Sequence, residues 1–89
     1  MIVRDLTIKN RKGLHARAAA QLVHVASRFH SKVQVSKDGI AVDGKSILGL
    51  LTLSATQGSI MRLTVEGTDE EDAVREISTL VEARFGEEA

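Results

Sequence analysis

Along this chain the apolar residues change spacing from two to about 3.6 and back several times, and few folds accept that pattern. Ile2, Leu6 and Ile8 alternate with polar residues around an out-of-pattern Arg4, which predicts a first strand of about seven residues. Asn10 to Gly13 reads as a turn. From Ala16 to about Phe29 the spacing is helical, with Ala18, Leu22, Val25 and Phe29 on one stripe and Ala19, Val23 and Ala26 beside it. Val33 and Val35 mark a second strand, Ile40 and Val42 a third. Asp38-Gly39 between them suits a type I′ hairpin turn, which needs positive φ at both positions. Ser46 to Leu53 reads as a short helix with Ser46 as N-cap. Gln57-Gly58 then turns the chain into a fourth strand carrying Met61, Leu63 and Val65. Thr68-Asp69-Glu70-Glu71 reads as a capping box. It predicts a last helix from about Asp69 to Phe85 with Ala73, Ile77, Leu80, Val81 and Arg84 on one face. Gly86 ends that helix, and Glu87-Glu88-Ala89 is expected to be a frayed tail.

The order is β-α-β-β-α-β-α. Four strands with one apolar face and three helices with one apolar stripe make a two-layer α+β sandwich, a single domain over residues 1–89. The hairpin makes the second and third strands antiparallel neighbours.

Composition removes several function classes. Twelve basic residues balance twelve acidic ones, so no global field draws in nucleic acid or an anionic membrane. The absence of cysteine excludes disulfide and thiolate chemistry. His15, His24 and His30 lack metal-site spacing, so no metal and no cofactor are expected, and His24 and His30 read as surface residues. No stretch approaches membrane-spanning length and Met1 to Asp5 lacks the run of a signal peptide, so a cytoplasmic location is expected.

Chemistry concentrates at Gly13-Leu14-His15-Ala16-Arg17. A glycine turn delivers His15 to the first turn of an Ala-rich helix. The unpaired N–H groups and positive dipole end there attract a phosphate. The same positive end disfavours imidazolium, which predicts a neutral, nucleophilic ring near pH 7. Arg17 is placed to hold the transferred oxygens by charge-assisted hydrogen bonds.

A second candidate lies in the short helix. Ile47, Leu48, Leu50, Leu51 and Leu53 cannot all face one sheet. Either the helix is wedged into the core, or Leu50 and Leu53 point in while Ile47, Leu48 and Leu51 form a docking patch. Ser46 is either a cap alone or a position where a phosphate would add charge at the edge of that patch.

Three segments, Gly13-Leu14-His15-Ala16-Arg17, Gly44-Lys45-Ser46-Ile47-Leu48-Gly49-Leu50 and Thr56-Gln57-Gly58, resemble the HPr family, the histidine phosphocarriers of the bacterial phosphotransferase system. The likeness runs from residue 2 to about 86. It implies an open-faced sandwich: an antiparallel sheet in strand order 1-4-2-3 with three helices on one face. It also implies a phosphocarrier rather than a free-standing catalyst. His15 would accept a phosphoryl group at Nδ1 from phosphorylated enzyme I and pass it to an EIIA-type acceptor protein, with Arg17 stabilising the phosphate. Ser46 would be the regulatory site of an HPr kinase/phosphorylase. The chain is expected to act as a monomer.

Two departures bear on this. Ala18 stands where the family usually has proline, which keeps the Ala18 N–H as a donor and leans slightly toward a regulatory, nitrogen-linked phosphorelay. Gly49 and Ser27 stand where many relatives have lysines, which leaves Lys45, Arg17, Lys12 and His24 as the local basic patch. A nucleic-acid-binding α/β module is the rival from another class. Sheets that stack bases use aromatics, and this chain has only Phe29 and Phe85, both read as core.

Overall fold

In the computed structural model, which describes residues 1–89, the elements follow in the expected order. They are β1 (Ile2–Thr7), α1 (Ala16–Ala26), β2 (Lys32–Lys37), β3 (Ile40–Asp43), α2 (Ile47–Leu51), β4 (Ile60–Glu66) and α3 (Glu70–Glu82). The sheet is antiparallel throughout, in the order β1-β4-β2-β3. Its pairing aligns the inward residues in rows: Ile2, Val65 and Val33 form one, and Arg4, Leu63, Val35 and Val42 the next. Arg4 falls at the end of its row on an edge strand, where it is exposed. That is why one charged residue interrupts the alternation without harm to the core. The opposite face is open and mainly polar, with Val3 and Ile60 exposed on it, one row reading Asp5, Arg62, Ser36, Ala41, with Arg62 Nε donating to Asp5 Oδ1 at 3.0 Å.

The hairpin turn is as expected: Asp38 and Gly39 both have positive φ, 51° and 82°. Helix α1 buries Ala18, Ala19, Leu22, Val25 and Ala26. Its three small side chains allow close approach to neighbouring elements. Leu50 and Leu53 of the α2 region point into the core, while Ile47, Leu48 and Leu51 remain exposed, Leu48 at 79%. Ser46 caps α2, its Oγ accepting from the Gly49 N–H at 3.0 Å. No helix is long and apolar enough to cross a membrane.

Three expectations are corrected. Helix α1 stops at Ala26 rather than near Phe29. The Arg28 and Phe29 N–H groups bond three residues back, to Val25 and Ala26, so the last turn tightens and leaves the helix path. The capping box before α3 does not form. Asp69 is the N-cap residue but makes no cap bond with its side chain. Its carboxylate instead accepts from the N–H groups of His30 and Ser31, both at 2.9 Å, and from the Ser31 hydroxyl. Ser31 is buried and needs that acceptor, which a local cap would have removed.

The third correction lies at the C-terminus. Helix α3 gives way at Ala83 to a single 3-10 turn, Arg84–Gly86, in which Arg84 and Phe85 take positive φ, 57° and 53°. This swing turns Phe85 into the core and leaves Arg84 in solvent, off the apolar face assigned to it. Left-handed residues cost roughly 1–2 kcal/mol each. Burial of the phenyl ring contributes about 1.5–3 kcal/mol in the other direction. The residues beyond are folded back, not frayed: the Arg11 N–H donates to the Ala89 carbonyl at 2.9 Å.

Candidate functional site

Three segments converge on His15. Gly13 has φ +68° and lies against the loop before β4, where a Cβ at that position would stand 2.5 Å from the Ala55 carbonyl oxygen. The next amide, Leu14 N–H, donates to that same oxygen at 2.8 Å, and the Leu14 side chain is buried. The Thr56-Gln57-Gly58 segment is tied to the other side of the turn, Gln57 Nε2 donating to the Lys9 carbonyl at 3.1 Å and Gly58 N–H to the Ile8 carbonyl at 2.8 Å. The histidine loop is therefore pinned by one continuous stretch, residues 55–58, that is distant from it in sequence.

His15 is the N-cap residue of α1, in extended conformation, and its side chain does not cap the helix. Its carbonyl accepts the first helical bond, from Ala19 N–H at 2.8 Å. The N–H groups of Ala16, Arg17 and Ala18 precede that bond and have no intrahelical partner. Arg17 is exposed and carries neither an ion pair nor a side-chain hydrogen bond. The ring sits at the edge of a cleft of about 440 Å³ lined by Arg11, Lys12, His15, Arg17 and residues 86–89. Three cations, Arg11, Lys12 and Arg17, and two acidic residues, Glu87 and Glu88, thus line the cleft that holds the half-buried imidazole.

The tail residue Glu87 completes the site, and sequence reasoning missed it. His15 Nε2 lies 2.5 Å from Glu87 Oε2. The other carboxylate oxygen, Oε1, accepts from Asn10 Nδ2 at 3.1 Å, and the same amide donates to the Gly13 carbonyl at 2.8 Å. Asn10 is fully buried. The bonds from His15 and then Asn10, aided by the charge of Lys12, hold the Glu87 carboxyl below the usual carboxylate range. Glu87 therefore stays ionised beside the ring. Neither Asn10 nor Glu87 carried a signal: one read as an ordinary turn residue, the other as tail, and their contact spans most of the chain.

The remaining candidates are distributed unevenly. Lys12 and Arg17 share the cleft with His15, and His24 lies with Arg17 along an adjoining groove that also includes Ala20, Gln21, Val25 and Leu80. Lys45 stands apart, its Nζ donating to the Phe29 carbonyl at 2.8 Å. Ser46 with Ile47, Leu48 and Leu51 forms a separate patch on α2, which packs against α1. His24 and His30 are exposed, and no group of acidic or histidine side chains has the arrangement of a metal site.

Comparison with known proteins agrees with this construction. The family model for the PTS HPr component phosphorylation site matches residues 2–83. The phosphocarrier protein HPr of Cupriavidus necator is 46% identical over 87 residues, 98% of each chain, and that of Xylella fastidiosa (strain Temecula1) is 43% identical over 88 residues, 99% of each. The crystal structure of HPr-C-His from Thermoanaerobacter tengcongensis matches with a TM-score of 0.96 at 45% identity, covering 100% of both chains. The class is that of the small phosphocarriers of the phosphotransferase system. The chain belongs to the HPr family.

Proposed function

We propose that His15 is the phosphoryl acceptor of this carrier, taking the group from phosphorylated enzyme I and passing it to an EIIA-type acceptor protein. One observation carries the reading. Nε2 is engaged by Glu87, which leaves Nδ1 as the ring nitrogen without a hydrogen bond, on an N-cap residue that shares its cleft with Arg17. The Nδ1 lone pair attacks phosphorus. The bond from phosphorus to the donor breaks, and the donor leaves with the electron pair. Arg17 and the backbone N–H groups hold the equatorial oxygens as they pass, aided by the charge of Lys12. Return transfer reverses these steps, so the protein carries the group rather than consuming a substrate.

Ser46 is the proposed regulatory site, modified by an HPr kinase/phosphorylase. Its hydroxyl lies at the border of exposed Ile47, Leu48 and Leu51, which together with His24 and Lys45 make the proposed partner-docking surface. A dianion there would place charge against apolar side chains that a partner must cover.

Incubation with enzyme I and labelled phosphoenolpyruvate tests the reading. Label should enter wild type and be lost in acid, as phosphohistidine is, and His15→Ala should take up none while keeping its fold. Acid-stable label, or undiminished uptake by His15→Ala on His24 or His30, would refute it.

A further inference from the structure

We propose that Glu87 is a positioning residue for phosphoryl transfer, its carboxylate fixing the proton on His15 Nε2 and offsetting the charge that the ring acquires as the new P–N bond forms. This rests on the reading of His15 as the acceptor. The geometry supports it from both ends of the carboxylate. Oε2 lies 2.5 Å from Nε2, and Oε1 is held by the buried Asn10 amide, which is itself braced on the Gly13 carbonyl. The carboxylate is thus gripped by the turn that presents the histidine, and its position does not depend on the tail alone.

An imidazole has one proton and two nitrogens, and only the nitrogen without the proton is nucleophilic. A carboxylate accepts and never donates when ionised, so its bond to Nε2 selects the Nε2–H form and leaves the Nδ1 lone pair available. The electron balance gives the carboxylate a second part. When the Nε2–H ring attacks through Nδ1, no proton leaves, and the phosphorylated ring carries a positive charge shared by the two nitrogens. Glu87 faces that charge as it develops. A carboxylate behind the histidine of a hydrolase triad works in the same way, holding the tautomer and stabilising the imidazolium.

The tail itself stays in place without the carboxylate. Phe85 is buried, and the Ala89 carbonyl is bonded to the Arg11 amide by the backbone. Removal of the Glu87 side chain therefore leaves the fold intact.

The test compares wild type, Glu87→Ala and Glu87→Gln. The tautomer of unphosphorylated His15 is read from its two ring-nitrogen resonances in 15N-labelled protein, and uptake from phosphorylated enzyme I is measured alongside thermal melting. Wild type should show an excess of the Nε2–H form. Glu87→Ala should reduce that excess by at least about tenfold, the lower range for a bond to an ionised group. Its initial uptake should slow by at least about fivefold with the fold retained, the melting temperature falling only by what loss of the Asn10 bond brings. Glu87→Gln keeps an acceptor oxygen without the charge, so it should hold the tautomer better than Glu87→Ala while still transferring more slowly than wild type. Equal tautomer populations in wild type and Glu87→Ala, or equal uptake rates in all three, would overturn the proposal and leave phosphorylation of His15 standing. Failure of wild type to take phosphate on His15, with the tautomer excess present, would instead bring down the phosphocarrier reading and this one with it.

Discussion

Gly13→Ala should be a damaging single-carbon change at the candidate site. The backbone there has φ +68°, a left-handed conformation that costs an L residue roughly 1–2 kcal/mol. The added Cβ would also stand 2.5 Å from the Ala55 carbonyl oxygen and 3.0 Å from Thr56 Cα. Both are backbone atoms, so neither can rotate away. Relief requires the histidine turn to withdraw from the loop, which stretches the 2.8 Å bond from Leu14 N–H to Ala55. Loss of a buried hydrogen bond adds about 0.5–1.5 kcal/mol. The sum is about 1.5–3.5 kcal/mol, or a melting temperature lower by roughly 6–28 °C in a domain of this size. Gly39→Ala isolates the dihedral part, because φ is +82° and nothing lies within 4 Å of the added atom. Thermal melts of the two variants, followed by circular dichroism, should therefore differ by about 0.5–1.5 kcal/mol, the hydrogen-bond part. Phosphoryl uptake should fall only in Gly13→Ala. Equal loss of stability in the two would show that the close approach to Ala55 is not what fixes the turn.

Arg17→Ala should slow transfer at least about tenfold, roughly 1.4 kcal/mol of barrier, with unchanged melting; unchanged kinetics in both directions would remove Arg17 from the mechanism. The Asp69 carboxyl is lowered from 3.8 to about 2, chiefly by the Ser31 hydroxyl and then by the His30 N–H. A depressed carboxylate contributes stability above its unfolded value and loses it as pH falls through its folded value. Acid unfolding of wild type should therefore steepen between about pH 4 and pH 2, and Asp69→Asn should flatten that limb; identical acid profiles would count against the Ser31 link. Ala18→Pro should be tolerated, because Ala18 lies in the first turn where its N–H has no helical partner, and should stabilise by about 0.4–1 kcal/mol through the unfolded state. A drop in melting temperature would show that this amide or the space around it is needed. Ser46→Asp should weaken enzyme I docking and slow His15 phosphorylation, whereas Ser46→Ala should lose only its cap, about 1 kcal/mol, and transfer normally. Wild-type phosphorylation of Ser46→Asp over a range of salt concentrations would refute the docking role of α2.

What the sequence disclosed was what depends on local spacing. The strands, the hairpin turn at Asp38-Gly39, the Ser46 cap and the approach of His15 and Arg17 to a helix start are all decided within a few residues. The burial of Leu50 and Leu53 and the exposure of Ile47, Leu48 and Leu51 fit one of two patterns that periodicity alone left open. What stayed hidden depends on long-range partners. Asp69 had a good local reading as part of a capping box, and it was overridden by a buried serine in a loop far upstream. Glu87 sat past a helix-stopping glycine in a short acidic stretch, which is the usual signature of disorder. Only the left-handed step at Arg84 and Phe85 brings it back over His15.

The strand order also governs when the site comes into existence. Only β2 and β3 pair through a tight turn; β1 must find β4 across more than half the chain. Hairpins close in microseconds, whereas closing a long loop costs entropy before any contact repays it. The histidine turn needs β1 in register before it, the Ala55 loop against it and the tail folded over it. It is therefore assembled with the most non-local contacts of the molecule. A chain with its hairpin and helices formed but β1 undocked has no cleft at all. In a refolding experiment, recovery of phosphoryl uptake should lag behind recovery of helical signal, which makes the acceptor histidine a reporter of topological closure.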